Sequence, residues 1–472
     1  MNIFRNNTSR RDFLGDCGKM SGVASLASVV NLGCLQNVSA QVTNSNAPYR
    51  GVVNLVLGGG ADSYSFIAPA DEEGFAQYSA VRKLAAHGRG SFTETETLAG
   101  EKFLVHNQFQ EVKEMFEAGE LSFIQGIGTL VEPLLPENNY AGERPFGLGS
   151  HQDQRVSWQN SVPNMRGGAL GGTGWIGRMM ETLEGVNLGS AYNPNICQAN
   201  PLSQTGFQTS PLSVSNRGPN HLDIYQNDID VKAVIDYDLE KTYKTVLQNH
   251  INQSRKSTII DMQNLLELSQ GIILRTQFPN TALGNQLKNV AKYIAIRDQM
   301  GLNRQTFTVN DGGYDMHTNT RGRITGKMAV VSQALKAFRN ALQELGVFDQ
   351  VATYISSDFG RSMGANTSGT NHGWAAVSLV MGGGVKPRQL FGGVPDYNRE
   401  TSPLFVGTRP TPTIATDELF ASIAYWFGVD NDNNMERMLP NIRNFGAAGN
   451  PDGNTGVFLD CFSTESIANR KS

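Results

Sequence analysis

The sequence predicts an α/β protein: a mostly parallel central sheet with helices on both faces, interrupted by a loop-rich and helical insertion. Three observations carry this prediction. "GVVNLVLGGGADSYSF" (51–66) is an apolar, β-branched run that stops abruptly in glycines and Asp62, as a buried parallel strand does. "NQFQEVKEMFEA" (107–118) then has Phe109, Val112, Met115 and Phe116 at helical spacing, and "LSFIQGIG" (121–128) follows as a second strand. Strand and helix alternate again near the C-terminus, with strand 305–310, a helix over about 320–346, and strands 350–357 and 375–383.

The remaining elements fit around this alternation. Residues 160–220 are rich in Gly, Asn, Ser and Pro and read as a loop-rich insertion or cap, since Trp158, Trp175 and Ile176 need somewhere to pack. From 231 to 302 three helical segments are expected, over 231–251, 257–274 and 282–300, so that the insertion spans about 160–300. A late helix covers 417–428. Residues 48–472 are expected to form one domain.

The chain has 472 residues, 39% hydrophobic and 17% charged, with 51 glycines, which suits a soluble globular protein. The net charge of −4 and the absence of any basic run argue against nucleic acid as a partner. Residues 1–40 read as a separate targeting segment. "SRRDFL" contains the twin arginine Arg10-Arg11, a mildly apolar stretch follows, and Val38-Ser39-Ala40 is a small-residue cleavage site. This is the layout of a Tat signal peptide, with the Tat translocase as export partner and the periplasm as destination, or the cell surface or medium beyond it. The apolar stretch is too short and too rich in Ser and Gly to be a permanent span. Its removal takes away four basic and two acidic residues and leaves a net charge of −6. Cys197 and Cys461 then remain, either as one disulfide closing a long loop or as two buried thiols.

Polar residues collect where the strands end. Asp62 follows the first strand, "GSHQDQ" (149–154) the second after a loop, Asp315 and His317 the third, and "DFGR" (358–361) the fourth. "TNHGW" (370–374) precedes the fifth. An open parallel sheet binds ligands beyond the carboxyl ends of its strands, so these groups are expected to share one edge. Singly, Asp62 and Asp358 also read as turn or cap residues, and His317 as a loop histidine. Together, Asp62, Asp315, His317, Asp358 and His372 are candidate ligands of a divalent metal. Zn, Mn or Fe suit a mixed carboxylate and imidazole set, and Mg or Ca a carboxylate-dominated one. In Asp315-x-His317 the two-residue period of extended chain puts both side chains on one side. Arg361 is a candidate for holding an anionic ester. His87, His106, His221 and His250 have no such context and read as structural or exposed.

The twin-arginine start, "LVLGGGADSYSF", "SHQDQRVSWQ", "DGGYDMHTN", "SDFGRSMGANTSGTNHGWAAVSLVMGGGV" and "MLPNIRNF" together resemble the Tat-exported bacterial proteins catalogued as domain of unknown function 1501. That family looks like a branch of the alkaline phosphatase and sulfatase superfamily, whose α/β sandwich holds metals at the carboxyl ends of its strands. The resemblance implies that Asp62 matches the metal aspartate of the first strand. Asp315 and His317, with His372, match the ligands of one metal, and Asp358 matches the aspartate of a second. Ser150 or His151 falls where the superfamily places its nucleophile, and His151 or His372 could serve as general acid. Two departures stand out: Phe359 occupies a position that is histidine in the phosphatases, and Asp315 and His317 are two residues apart rather than four. A one-metal site, a different metal and a degenerate binding site all stay open. The implied function is a metal-dependent hydrolase of a phosphate or sulfate ester. The alternative is a non-catalytic binding or assembly protein on the same fold, acting on a surface polymer or a partner protein.

Overall fold

The computed structural model describes residues 48–134, 142–166, 172–183, 194–195, 201–215, 218–219, 225, 228–365, 368–398, 405–406, 408–429, 432–446 and 459–468. The expected targeting segment, Cys197 and His221 lie outside them.

Five strands make the body of the sheet: β1 (Arg50–Gly58), β2 (Leu121–Gly128), β3 (Arg304–Gly312), β4 (Val351–Ser357) and, after a short hairpin of β5 (Arg361–Ala365) and β6 (Thr370–His372), β7 (Ala376–Met381). Their order is β2-β7-β4-β1-β3. Leu390–Phe391 extends the β2 edge, Pro194–Asn195 and Leu212–Ser213 extend the β3 edge, and Ile414–Ala415 also pairs with β2. β1 is central and runs parallel to both β3 and β4. β7 runs antiparallel to both of its neighbours. The sheet is therefore mixed but mostly parallel.

The reversed direction of β7 explains why its polar cluster comes before the strand rather than after it. Ala376, the first residue of β7, pairs with Ile127 near the end of β2, while Met381 pairs with Leu121 at its start. "TNHGW" thus enters the sheet at the edge where β1, β3 and β4 leave it.

The alternation of side chains along the strands divides the core in two. On one face Val53, Leu55 and Leu57 of β1 pack with α2 (Gln110–Glu117), α7 (Ala282–Ala295) and α8 (Thr320–Glu344). Ile324, Met328, Val331, Leu335, Phe338 and Leu342 form the stripe of α8, at alternating steps of four and three, and all are buried. On the other face Val52, Ala352 and Tyr354 pack with α4 (Trp175–Met180) and α9 (Thr416–Phe427). Trp175 stacks on Phe420 with ring centroids 4.2 Å apart, so the tryptophan that the sequence reading assigns to an insertion belongs to this core.

The helical part of the insertion corrects the sequence reading. The 231–251 segment is not one helix: α5 (Ile229–Leu239) ends, and α6 (Val246–Gln270) begins after a break. Polar side chains make the break. Thr245 caps α6 by accepting from the Gln248 amide, and Asn252 Nδ2 donates to the carbonyls of Asp238, Leu239 and Lys241. Cys461 is buried and its thiol is pushed up to about 12 by burial. Among the described residues no helix is long and apolar enough to cross a membrane.

Candidate metal centre

Glycines after β1 let three loops converge at the sheet edge. Gly59 (φ 114°) and Gly60 (φ 74°) both have left-handed backbone. A Cβ on Gly59 would lie 2.6 Å from the Asp315 amide nitrogen, and one on Gly60 would lie 2.3 Å from the Phe359 ring. The glycine run therefore seats the Asp315 loop and the loop after β4 against β1.

His151, Asp315 and His372 come together there and could hold a metal ion. His151 Nε2 and His372 Nε2 lie 3.5 and 3.4 Å from Asp315 Oδ1. Ligand atoms of a tetrahedral ion with bonds of about 2.1 Å stand roughly 3.4 Å apart, so this spacing fits. His317 joins them, with Nε2 2.9 Å from Asp315 Oδ1 and 3.1 Å from His372 Nε2. Asp315 and His317 keep nearly half of their side-chain surface exposed, so the cluster opens to solvent.

The two better-buried imidazoles are oriented from behind. His372 Nδ1 donates to the Gly149 carbonyl at 2.6 Å, and His151 Nδ1 donates to Asp358 Oδ2 at 2.8 Å. A carbonyl or carboxylate can only accept, so each ring carries its proton on Nδ1 and turns a bare Nε2 towards Asp315. His151 Nε2 is buried and makes no hydrogen bond, which is the condition of a donor atom suited to a cation. Burial also lowers the pKa of His372, which keeps that ring neutral and its lone pair available. Phe359 packs against both rings, with centroids 4.8 Å from His151 and 4.7 Å from His372.

Arg361, fully buried, faces His372 across the β5–β6 hairpin. It donates to Asp315 Oδ1 at 2.9 Å and to the Thr370 carbonyl at 2.6 Å. Partial burial alone would raise the pKa of Asp315, but the hydrogen bond and charge of Arg361 outweigh it, aided by His317 and His151. The carboxyl is held below the usual carboxylate range.

The other expected residues are placed differently. Asp62 does not join the cluster: both its oxygens are taken by Arg82, the last residue of α1 (Glu72–Arg82), and Ser65 donates to it as well. Asp358 reaches the cluster only through His151, and Arg155 also grips it, with Nε 3.3 Å and Nη2 3.1 Å from its oxygens. Ser150 accepts from the Asp153 amide at 3.3 Å and caps α3 (His151–Asn160). Sequence reasoning missed Arg82 and Arg155. Arg155 had a signal, standing four residues after His151 and so on the same helix face. His87 and His106 form a buried pair, Nδ1 to Nε2 3.1 Å, as the structural reading expects, and His250 lies exposed on α6.

Fold and cluster together define an α/β protein with a histidine-rich candidate metal site at the carboxyl edge of its sheet. The model of the family described as protein of unknown function (DUF1501) matches residues 146–439, more than half of the chain, and the chain belongs to that family. No curated protein matches it. Among solved structures it is similar to Ps i-CgsB in complex with k-i-k-neocarrahexaose, at 10% identity over 84% of this chain and 77% of that one, with a TM-score of 0.37. It is also similar to the PsFucS1 sulfatase from Pseudoalteromonas sp., at 8% identity over 81% and 69%, with a TM-score of 0.33. A mutant of alkaline phosphatase PafA gives 12% identity over 67% and 64%, with a TM-score of 0.27.

Proposed function

We propose that the protein is an exported, metal-dependent hydrolase of a phosphate or sulfate ester. One observation carries the reading: two imidazoles, each with its Nδ1 proton engaged behind it, turn bare Nε2 atoms towards a single carboxylate oxygen. His151, Asp315 and His372 would hold the ion, with His317 at the solvent side. A divalent ion held there would supply Lewis-acid chemistry, polarising an ester oxygen and lowering the pKa of a bound hydroxyl. A set richer in imidazole than in carboxylate favours zinc over magnesium or calcium. Arg361, beside Asp315, supplies a fixed positive charge close to where an ester's oxygens would sit. Export would proceed through the twin arginine and the Tat translocase, with a small anionic ester or the ester groups of a surface polymer as substrate.

A second reading, an exported binding protein without turnover, is favoured by two contacts. The cap made by Ser150 and the pairing of Arg361 with Asp315 occupy the two groups best suited to attack and anion binding. Metal analysis of the mature, natively exported protein, followed by assays on aryl phosphates and sulfates, separates the two. Bound metal with turnover lost in Asp315→Ala supports the hydrolase; metal-free protein refutes it.

A further inference from the structure

Asp358 has the chemistry of a ligand and the surroundings of something else. It is fully buried, at the end of β4, and three hydrogen bonds converge on its two oxygens. His151 Nδ1 and Arg155 Nη2 share Oδ2, and Arg155 Nε holds Oδ1. Its charge is therefore answered by a guanidinium on the neighbouring helix. His151 and Arg155, at i and i+4 of α3, present both donors to it from one face.

We propose that Asp358 is a positioning residue for His151, kept in that role by Arg155, and that the centre takes one divalent ion. This rests on the reading of the cluster as a metal centre. Because an ionised carboxylate only accepts, it fixes the proton of His151 on Nδ1 and aims Nε2 at Asp315. Arg155 makes the arrangement self-supporting, since a buried carboxylate facing a neutral imidazole alone would be left with uncompensated charge. Asp62, another buried carboxylate of this edge, is closed by Arg82 in the same way. Among the described residues this leaves Asp315 as the carboxylate open to a cation at the cluster.

The test strips the mature protein with a chelator and titrates it with cobalt(II), following the visible absorption of the bound ion and the stoichiometry. The unaltered protein is expected to bind one equivalent. Asp358→Ala is expected to weaken binding by about 10–100-fold and to alter the cobalt spectrum. Asp358→Asn, which keeps an accepting oxygen for His151, should restore part of the affinity. Arg155→Ala, compared on protein shown by circular dichroism to be folded, should weaken binding in the same direction. Loss of the hydrogen-bonded His151 Nδ1 proton resonance in Asp358→Ala but not in Asp358→Asn supports the proposal independently of affinity. One bound equivalent that is indifferent to Asp358→Ala and Arg155→Ala overturns the inference alone, as do two equivalents with the second lost in Asp358→Ala. Unaltered protein that binds no cobalt overturns the metal reading and this inference with it.

Discussion

Arg82 closes on Asp62 with its two terminal nitrogens 2.9 and 2.5 Å from the two carboxylate oxygens, and neither side chain reaches solvent. A carboxylate that ends a glycine-rich strand turn is thereby committed to a structural pair. Removing one partner of a buried pair leaves the other charge uncompensated, at a cost of about 3–5 kcal/mol. Arg82→Ala is expected to destabilise by that order in denaturant titrations. Asp62→Asn is expected to lower stability while leaving the affinity of correctly folded protein for metal unchanged; a selective loss of metal would instead make Asp62 a ligand.

Gly60→Ala should act on the site through packing. The added methyl meets the Phe359 ring at 2.3 Å on a backbone with φ 74°, so the ring must move. Phe359 is the wall against which His151 and His372 lie. Loss of about 1–3 kcal/mol of stability is expected, with weaker metal binding beside it. Gly90→Ala, at a position where a Cβ meets nothing within 4 Å, is the control.

The His87–His106 pair predicts an acid-sensitive fold. Burial lowers His87 to about 3, helped by the charges of His106 and Arg82, and burial lowers His106 to about 4. The unfolded chain takes up protons near pH 6.5 that the folded pair refuses. Stability is therefore fully present above about pH 6.5 and is lost as pH falls towards 4, with a limiting slope of about 1.4 kcal/mol per pH unit for each ring. Urea midpoints measured across that range should show the decline, and a His87→Gln/His106→Gln protein should show a shallower one. Equal slopes would contradict the assignment.

Replacing Arg10 and Arg11 together by lysine is expected to block export and leave unprocessed precursor in the cytoplasm. In the unaltered protein, mass spectrometry of the exported form should find Gln41 at its N-terminus. Export of the double-lysine protein at the normal level would remove the Tat reading.

The framework of the molecule was legible because it is written in local periodicity. β1, β3 and β4 are short apolar runs closed by turn residues, and α8 repeats its apolar stripe along 25 residues. The pair Asp315 and His317 was legible for a related reason, since residues two apart on extended chain face the same way. Less legible were choices made over distance. Apolar content does not reveal strand direction, so the antiparallel β7 emerged only from its pairing with β2 and β4. Nor does an aspartate's presence at a strand end say what will neutralise it. Asp62 finds Arg82 twenty residues on, and Asp358 finds Arg155 and His151 more than two hundred residues earlier. The break between α5 and α6 rests on single capping side chains, Thr245 and Asn252, within a segment whose apolar spacing runs on unbroken.

Anomalous diffraction from crystals of the mature protein, collected across the zinc and manganese absorption edges, tests the central claim most directly. One peak is expected, about 2.0–2.3 Å from His151 Nε2, His372 Nε2 and an oxygen of Asp315. A peak on Asp62 or Asp358, or none at all in protein exported by its own pathway and left unexposed to chelator, would contradict a single centre built on these residues.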